Sequence, residues 1–137
     1  MTNVQQAPEL FWLIATVLLT GILWIPYIIN RFRELGAPGW SWFPLPDPPP
    51  RARWAMRAVQ AHVNAVENLV LFAPLVLTFH AIGTTVVAIE ACRIYFFARV
   101  AHALATISGL PIPFRTVAFL TGFACQMTLV FSILGKL

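Results

Sequence analysis

Apolar positions fall into two long uncharged runs and two interrupted ones. Leu10 to Ile29 and Thr116 to Leu134 carry no charge, and each approaches the roughly 20 helical residues needed to cross a bilayer core about 30 Å thick. Between them, residues 53–80 and 85–108 are apolar at most positions but bear polar side chains at helical spacing. The pattern predicts helices at about 9–29, 53–80, 85–108 and 114–134 in an all-α, integral membrane four-helix bundle. The turn around Gly83 and the link Gly109 to Pro113 are short, which makes neighbours antiparallel and the order up-down-up-down. Pro26 is expected to bend the last turn of the first helix, with Asn30, Arg31 and Arg33 at its exit. Residues 31–52 then form a proline-rich loop. Its Gly36 to Pro50 stretch holds six prolines and two glycines, and Trp40, Trp42 and Phe43 suit headgroup depth.

The interruptions are ordered. Arg53, Arg57, Gln60, Asn64 and Glu67 follow at steps of four and three, which places them on one helical face. Tyr95, Arg99, His102 and Thr106 share a face of the next helix. A charge at bilayer depth costs about 2.5–3.5 kcal/mol on insertion scales, so both stripes are expected to face inward and Glu67 to pair with Arg99. Two readings of these stripes stand side by side. In one they are structural, an ion pair with hydrogen-bonded Asn64 and His102 fixing helix register. In the other, arginines converging on the cytoplasmic side of a desolvated cavity bind a small anionic ligand or depress a thiol's pKa.

Composition narrows the class. Of 137 residues, 59% are hydrophobic and only 10% charged, which excludes an ordinary soluble domain. A net charge of +4 and a pI near 9.8 do not indicate nucleic acid, since the basic residues are not clustered with stacking aromatics. They fit topology instead. Arg31, Arg33, Arg51, Arg53, Arg57 and Arg115 lie in or beside loops one and three, with only Lys136 near a membrane end on the other side. The positive-inside rule therefore places loops one and three in the cytoplasm and the termini opposite. The first segment lacks a preceding basic residue and a small-residue cleavage site, and reads as a retained helix. Cys92 and Cys125 read as small core residues, and His62, His80 and His102 lack metal-ligand spacing, so no metal site is expected. Glu90 and Arg93 are spaced as an intrahelical pair, Asp47 reads as a solvated loop charge, and no Ser-His-Asp, phosphate-loop or dinucleotide signature is present.

Two segments carry a resemblance. RAVQAHVNAVENL, Arg57 to Leu69, contains A-H-x-N-x-x-E, and ARVAHALATISGLPIPFRTVAF, Ala98 to Phe119, contains R-V-A-H followed by P-x-R-[ST]. Together they resemble the MAPEG family, membrane-associated proteins in eicosanoid and glutathione metabolism, in its bacterial form. The resemblance implies a homotrimer of four-helix subunits embedded in membrane lipid, with glutathione as co-substrate near the cytoplasmic side. It implies that Arg115 stabilises the glutathione thiolate with Thr116 beside it, and that Arg31, Gln60, Asn64, Glu67, Arg99 and His102 line the glutathione site. The thiolate would then attack a lipophilic electrophile, as a transferase, or reduce a peroxide. This chain departs from the prostaglandin synthase type at Gln60 and Val63, where that type has arginines, and at Thr106 and Phe119, where it has tyrosines. Each lost group removes a charge-assisted or phenolic contact, the former typically worth about 1.5–3 kcal/mol. The alternative reading is a non-catalytic lipid- or partner-binding protein on the same scaffold. A transporter is disfavoured because repeats and paired broken helices are not evident.

Overall fold

The computed structural model describes residues 7–43 and 45–137. The described residues form helices and loops, with no strand among them. Helix α1 spans Pro8–Ile22 and α2 Ile25–Leu35, and together they make the first rod. The break between them follows from Pro26, which has no N–H and whose ring collides with the carbonyl four residues back. That residue is Ile22, where α1 stops. The chain does not leave the helix at residue 29 as the sequence pattern predicts. It continues through Leu35, so Asn30, Arg31 and Arg33 lie on α2.

Gly36, at φ 75°, ends α2, and a single 3-10 turn at Trp40–Trp42 lies within the proline-rich loop. Helix α3 spans Arg53–Ile82, α4 Val86–Ser108 and α5 Ile112–Leu134. Gly83 at φ 100° and Gly109 at φ 75° supply the left-handed backbone that closes the two tight links. Thr85 caps α4, its hydroxyl accepting the Ala88 N–H at 3.2 Å. Gly109 has a second reason to lack a side chain, because a Cβ there would stand 2.9 Å from Arg57 Cζ. The Arg57 guanidinium lies across this turn and donates to the Ile107 carbonyl at 2.9 Å, satisfying an otherwise open helix C-terminus.

Three segments are long and apolar enough to cross a membrane: Pro8–Leu35, Arg53–Ile82 and Ile112–Leu134. The 23-residue α4 has the length but carries Glu90, Arg93 and Arg99. It packs on α1, α3 and most extensively α5. Its Arg99 and His102 lie on the packed face, as the cost of intramembrane charge requires, while Ile94, Phe97 and Leu104 face outward. Apolar burial does not drive helix association within lipid, so close packing of small residues does. The end of the bundle away from the long loop is filled by Phe72, Val76, Phe79, Tyr95, Leu129 and Ile133, with Tyr95 stacked on Phe72 at 3.8 Å between ring centroids. At the loop end the core shrinks to Leu23, Ala61, Ala65 and Ala103.

Candidate functional site

The cavity lies at the loop end, where α3, α4 and α5 meet, with a volume of about 330 Å³. Gln60 and Asn64 come from α3, His102 and Thr106 from α4, and Ile112, Arg115, Thr116 and Phe119 from α5. Helical phase explains each contribution. His102 and Thr106 are four apart on the buried face of α4, and Arg115 and Phe119 four apart on α5, so each pair projects in one direction. The residues that the sequence offered as a site are therefore largely brought together: Gln60, Asn64, His102, Arg115 and Thr116 line one space.

Arg99 stands behind this wall. It is only 3% exposed, and its Nη2 donates to the Asn64 side-chain carbonyl oxygen. Among the described residues its Nε and Nη1 have no partner, and neither do His102 Nδ1 and Arg115 Nε. A buried donor without an acceptor costs on the order of 1–3 kcal/mol, more when charged. Arg115 brings positive charge to the cavity wall and Arg99 adds it from behind, while His102 Nδ1 donates or accepts according to its tautomer, a setting suited to an anionic ligand. The hydroxyls are less available as donors, because Thr106 donates to the His102 carbonyl at 2.8 Å and Thr116 to the Ile112 carbonyl at 3.0 Å. Their remaining capacity is as acceptors. The Phe119 ring, 6.1 Å from His102 between centroids, gives the cavity an apolar flank.

Two expected members lie elsewhere. Glu67 does not pair with Arg99: it is exposed, and among the described residues it forms no ion pair. The reason is helical phase. The buried face of α3 runs through Ala61, Ala65, Asn68, Phe72 and Val76, centred about 80° round from Asn64 at 100° per residue. Asn64 therefore sits at the edge of the core, and Gln60 and Glu67 turn away from it. Arg31 is also outside the cavity. Its guanidinium holds the loop, pairing with Asp47 at 3.0 Å and donating to the Pro48 carbonyl. Asp47, read as a solvated loop charge, is indeed exposed and in addition tethers the loop through Arg31.

Several polar contacts were not anticipated from the sequence. Asn68 donates to the Asn64 carbonyl at 2.9 Å, and Gln126 donates to the Asn68 carbonyl at 3.2 Å and the Tyr95 hydroxyl at 3.4 Å. The signal for Gln126 was its isolation as the one amide in the last apolar run. Glu9, 3% exposed, meets His80 at 2.9 Å at the far end, and the Tyr27 hydroxyl lies 2.8 Å from His62 Nδ1. The Glu90 and Arg93 pair is present at 2.5 Å. Among the described residues no three His, Cys, Asp or Glu side chains cluster as a metal site.

A four-rod bundle with this cavity between its α3, α4 and α5 rods agrees with a family-model match. The model for the MAPEG family covers residues 10–135. The chain belongs to the MAPEG family. Microsomal glutathione S-transferase 1 of Bos taurus and of Mus musculus are each 32% identical to this MAPEG chain over 79 residues, which is 57% of this chain and 51% of theirs. The Rattus norvegicus protein of the same name matches over the same extent. The matched segment thus spans about half the length of these curated relatives. Family membership and the apolar rods make the chain an integral membrane protein of the helical-bundle type.

Proposed function

We propose that this MAPEG member is a glutathione-dependent membrane transferase, or peroxidase, acting on lipophilic electrophiles with Arg115 stabilising the thiolate. The observation that supports it most is Arg115 on the cavity wall with its Nε unpartnered among the described residues, and the Arg99 guanidinium enclosed behind that wall with Nε and Nη1 likewise unpartnered. Its 330 Å³ falls at the small end of ligand-site volumes, about 300–1,000 Å³. The relatives' printed name, glutathione S-transferase, supports the same class.

Bound glutathione supplies a thiol whose sulfur forms the new bond to an electrophilic carbon as the leaving group departs with its electron pair, the thiol proton passing to water. In the peroxidase form it reduces a peroxide O–O bond, a second thiol completing the disulfide. Arg115 holds the thiolate form by charge, which raises the nucleophile fraction at neutral pH. Asn64, Gln60 and His102 hold the carboxylate and peptide groups while Arg99, behind Asn64, adds positive charge, and the Phe119 flank favours an apolar electrophile arriving from the bilayer. Thr116, beside Arg115, offers an acceptor to the thiol. Arg31 positions the loop in this reading and does not touch the ligand. Glu67 contributes only if another copy of the chain covers its face, and a homotrimer would do so. Loops one and three are assigned to the cytoplasm on their arginine excess.

Calorimetric titration of the detergent-purified protein with glutathione, followed by conjugation assays on an aromatic halide, tests the reading. Heat of binding with Arg115-dependent turnover is the expected result. Neither heat nor turnover would leave the non-catalytic lipid- or partner-binding role, which the apolar groove along Ile94, Phe97, Phe114 and Val117 favours.

A further inference from the structure

The lipid-facing stripe of the first rod does not stop at the end of its helix. Ile25, Ile29 and Phe32 recur at steps of four and three on α2 and are each about half exposed, the face that an integral helix turns to lipid. The Phe32 ring lies 4.9 Å from that of Trp42 in the following loop, and Trp40 lies 5.8 Å from Phe43. Trp40 is 91% exposed and Leu45 93%. An apolar surface thus passes from helix to loop and ends in side chains with almost no protein cover.

The loop that carries them is tethered. Arg31 pairs with Asp47 at 3.0 Å and donates to the Pro48 carbonyl. The Glu34 carboxylate accepts the Asn30 amide at 2.8 Å and the backbone N–H groups of Arg51 and Ala52 at 3.0 and 3.1 Å. The Trp42 indole donates to the Gly36 carbonyl at 3.3 Å and the Ser41 hydroxyl to the Leu35 carbonyl at 3.1 Å. These bonds hold the loop against the end of α2. Both acidic groups are committed to the tethers, while Arg33, Arg51 and Arg53 are exposed and form no ion pair among the described residues.

We propose that this loop is an anionic-lipid anchor: Trp40, Phe43 and Leu45 enter the interface of the leaflet at this end, and Arg33, Arg51 and Arg53 bind lipid phosphates. The reach is adequate. Pro8–Leu35 comprises 28 residues, about 42 Å at 1.5 Å each, which exceeds a core about 30 Å thick and brings its last turns to headgroup depth. Aromatic rings are favoured at that depth, and each nearby arginine adds attraction to anionic headgroups. The anchor is independent of catalysis, since none of these residues lines the cavity.

The full chain in phosphatidylcholine nanodiscs, with and without phosphatidylglycerol, provides the test. The emission lost in Trp40→Phe should be quenched by lipids brominated near the glycerol and protected from aqueous iodide. Iodide quenching without lipid quenching overturns insertion. The triple variant Arg33→Gln, Arg51→Gln, Arg53→Gln should hold phosphatidylglycerol roughly a hundredfold more weakly by native mass spectrometry, at about 1 kcal/mol per arginine. Unchanged retention in a variant that keeps its helical spectrum overturns the headgroup contact. Equal thermal stabilisation of the parent by inorganic phosphate would mark a free-anion site, and iodide protection only in oligomers a contact between copies. Either result refutes the lipid assignment.

Discussion

Arg115 lines the cavity, whereas Arg99 stands behind its wall. Arg115 is half-buried on the first turn of α5 with its Nε unpartnered, whereas Arg99 is enclosed and gripped by Asn64. Arg115→Ala should therefore lower kcat for halide conjugation by ten- to a hundredfold with a smaller change in KM, and losses confined to KM would contradict the thiolate role. Asn64→Ala should cost about 1.5–3 kcal/mol, the usual value for a hydrogen bond to a charged group, because Arg99 loses its partner. A melting temperature in detergent that does not fall would disprove that dependence. Glu67→Gln should leave the melting of the isolated subunit unchanged, since Glu67 makes no ion pair there, while weakening association if copies cover that face. Native mass spectrometry separates the two effects. Gly109→Ala combines a left-handed φ of 75° with a Cβ 2.9 Å from Arg57, whereas Gly36→Ala at the same φ meets nothing within 4 Å. Gly109, at ψ 31°, is left-handed α, where a side chain costs about 1–2 kcal/mol and the Arg57 guanidinium is free to shift. Gly36, at ψ −159°, lies in a region essentially confined to glycine, so Gly36→Ala should melt lower than Gly109→Ala.

The helices show where local rules sufficed and where they did not. Pro26 announced a disturbance in the first rod, and the i−4 rule explains its position at Ile22, but nothing local required the helix to resume and run to Leu35. Resumption brings Asn30 and Glu34 one turn apart, and Glu34 then captures the loop's returning backbone. Glu34→Ala should accordingly accelerate limited proteolysis between residues 36 and 50 while leaving the helical spectrum intact. Equal cleavage rates would mean the tethers do not restrain the loop. On α3 the stripe of steps four and three was a true helical feature, but the face it marks is the flank of the buried one. Alanines at Ala55, Ala58, Ala61 and Ala65 face the neighbours because they permit close approach. Alternating polar residues drew attention away from this small-residue face.

At the level of the whole molecule, the packed face of α4 explains how the membrane tolerates Arg99 and His102: both are buried against neighbouring rods, while Ile94, Phe97 and Leu104 face outward. The core is aromatic at one end and small at the other, and the cavity opens at the small end, between α3, α4 and α5. The topology assigned from arginine counts predicts that Ser41→Cys labels with an impermeant maleimide only from the cytoplasmic side, and Gly135→Cys only from the opposite side. The native Cys92 and Cys125 are buried and give little background. Labelling reversed between faces would invert the assignment. The sequence by itself determined the four-rod membrane class, the antiparallel links and the inward face of α4, since uncharged run length, glycine position and a three-four polar pattern are properties of single segments. Family motifs in the sequence also marked Asn64, His102 and Arg115 as neighbours. Only the tertiary structure decided that Asn64 rather than Glu67 meets Arg99, that Arg31 restrains a loop, and that Gln126 joins Asn68 to Tyr95. Those outcomes depend on the rotation of each rod about its own axis, which packing between rods sets and no single segment encodes.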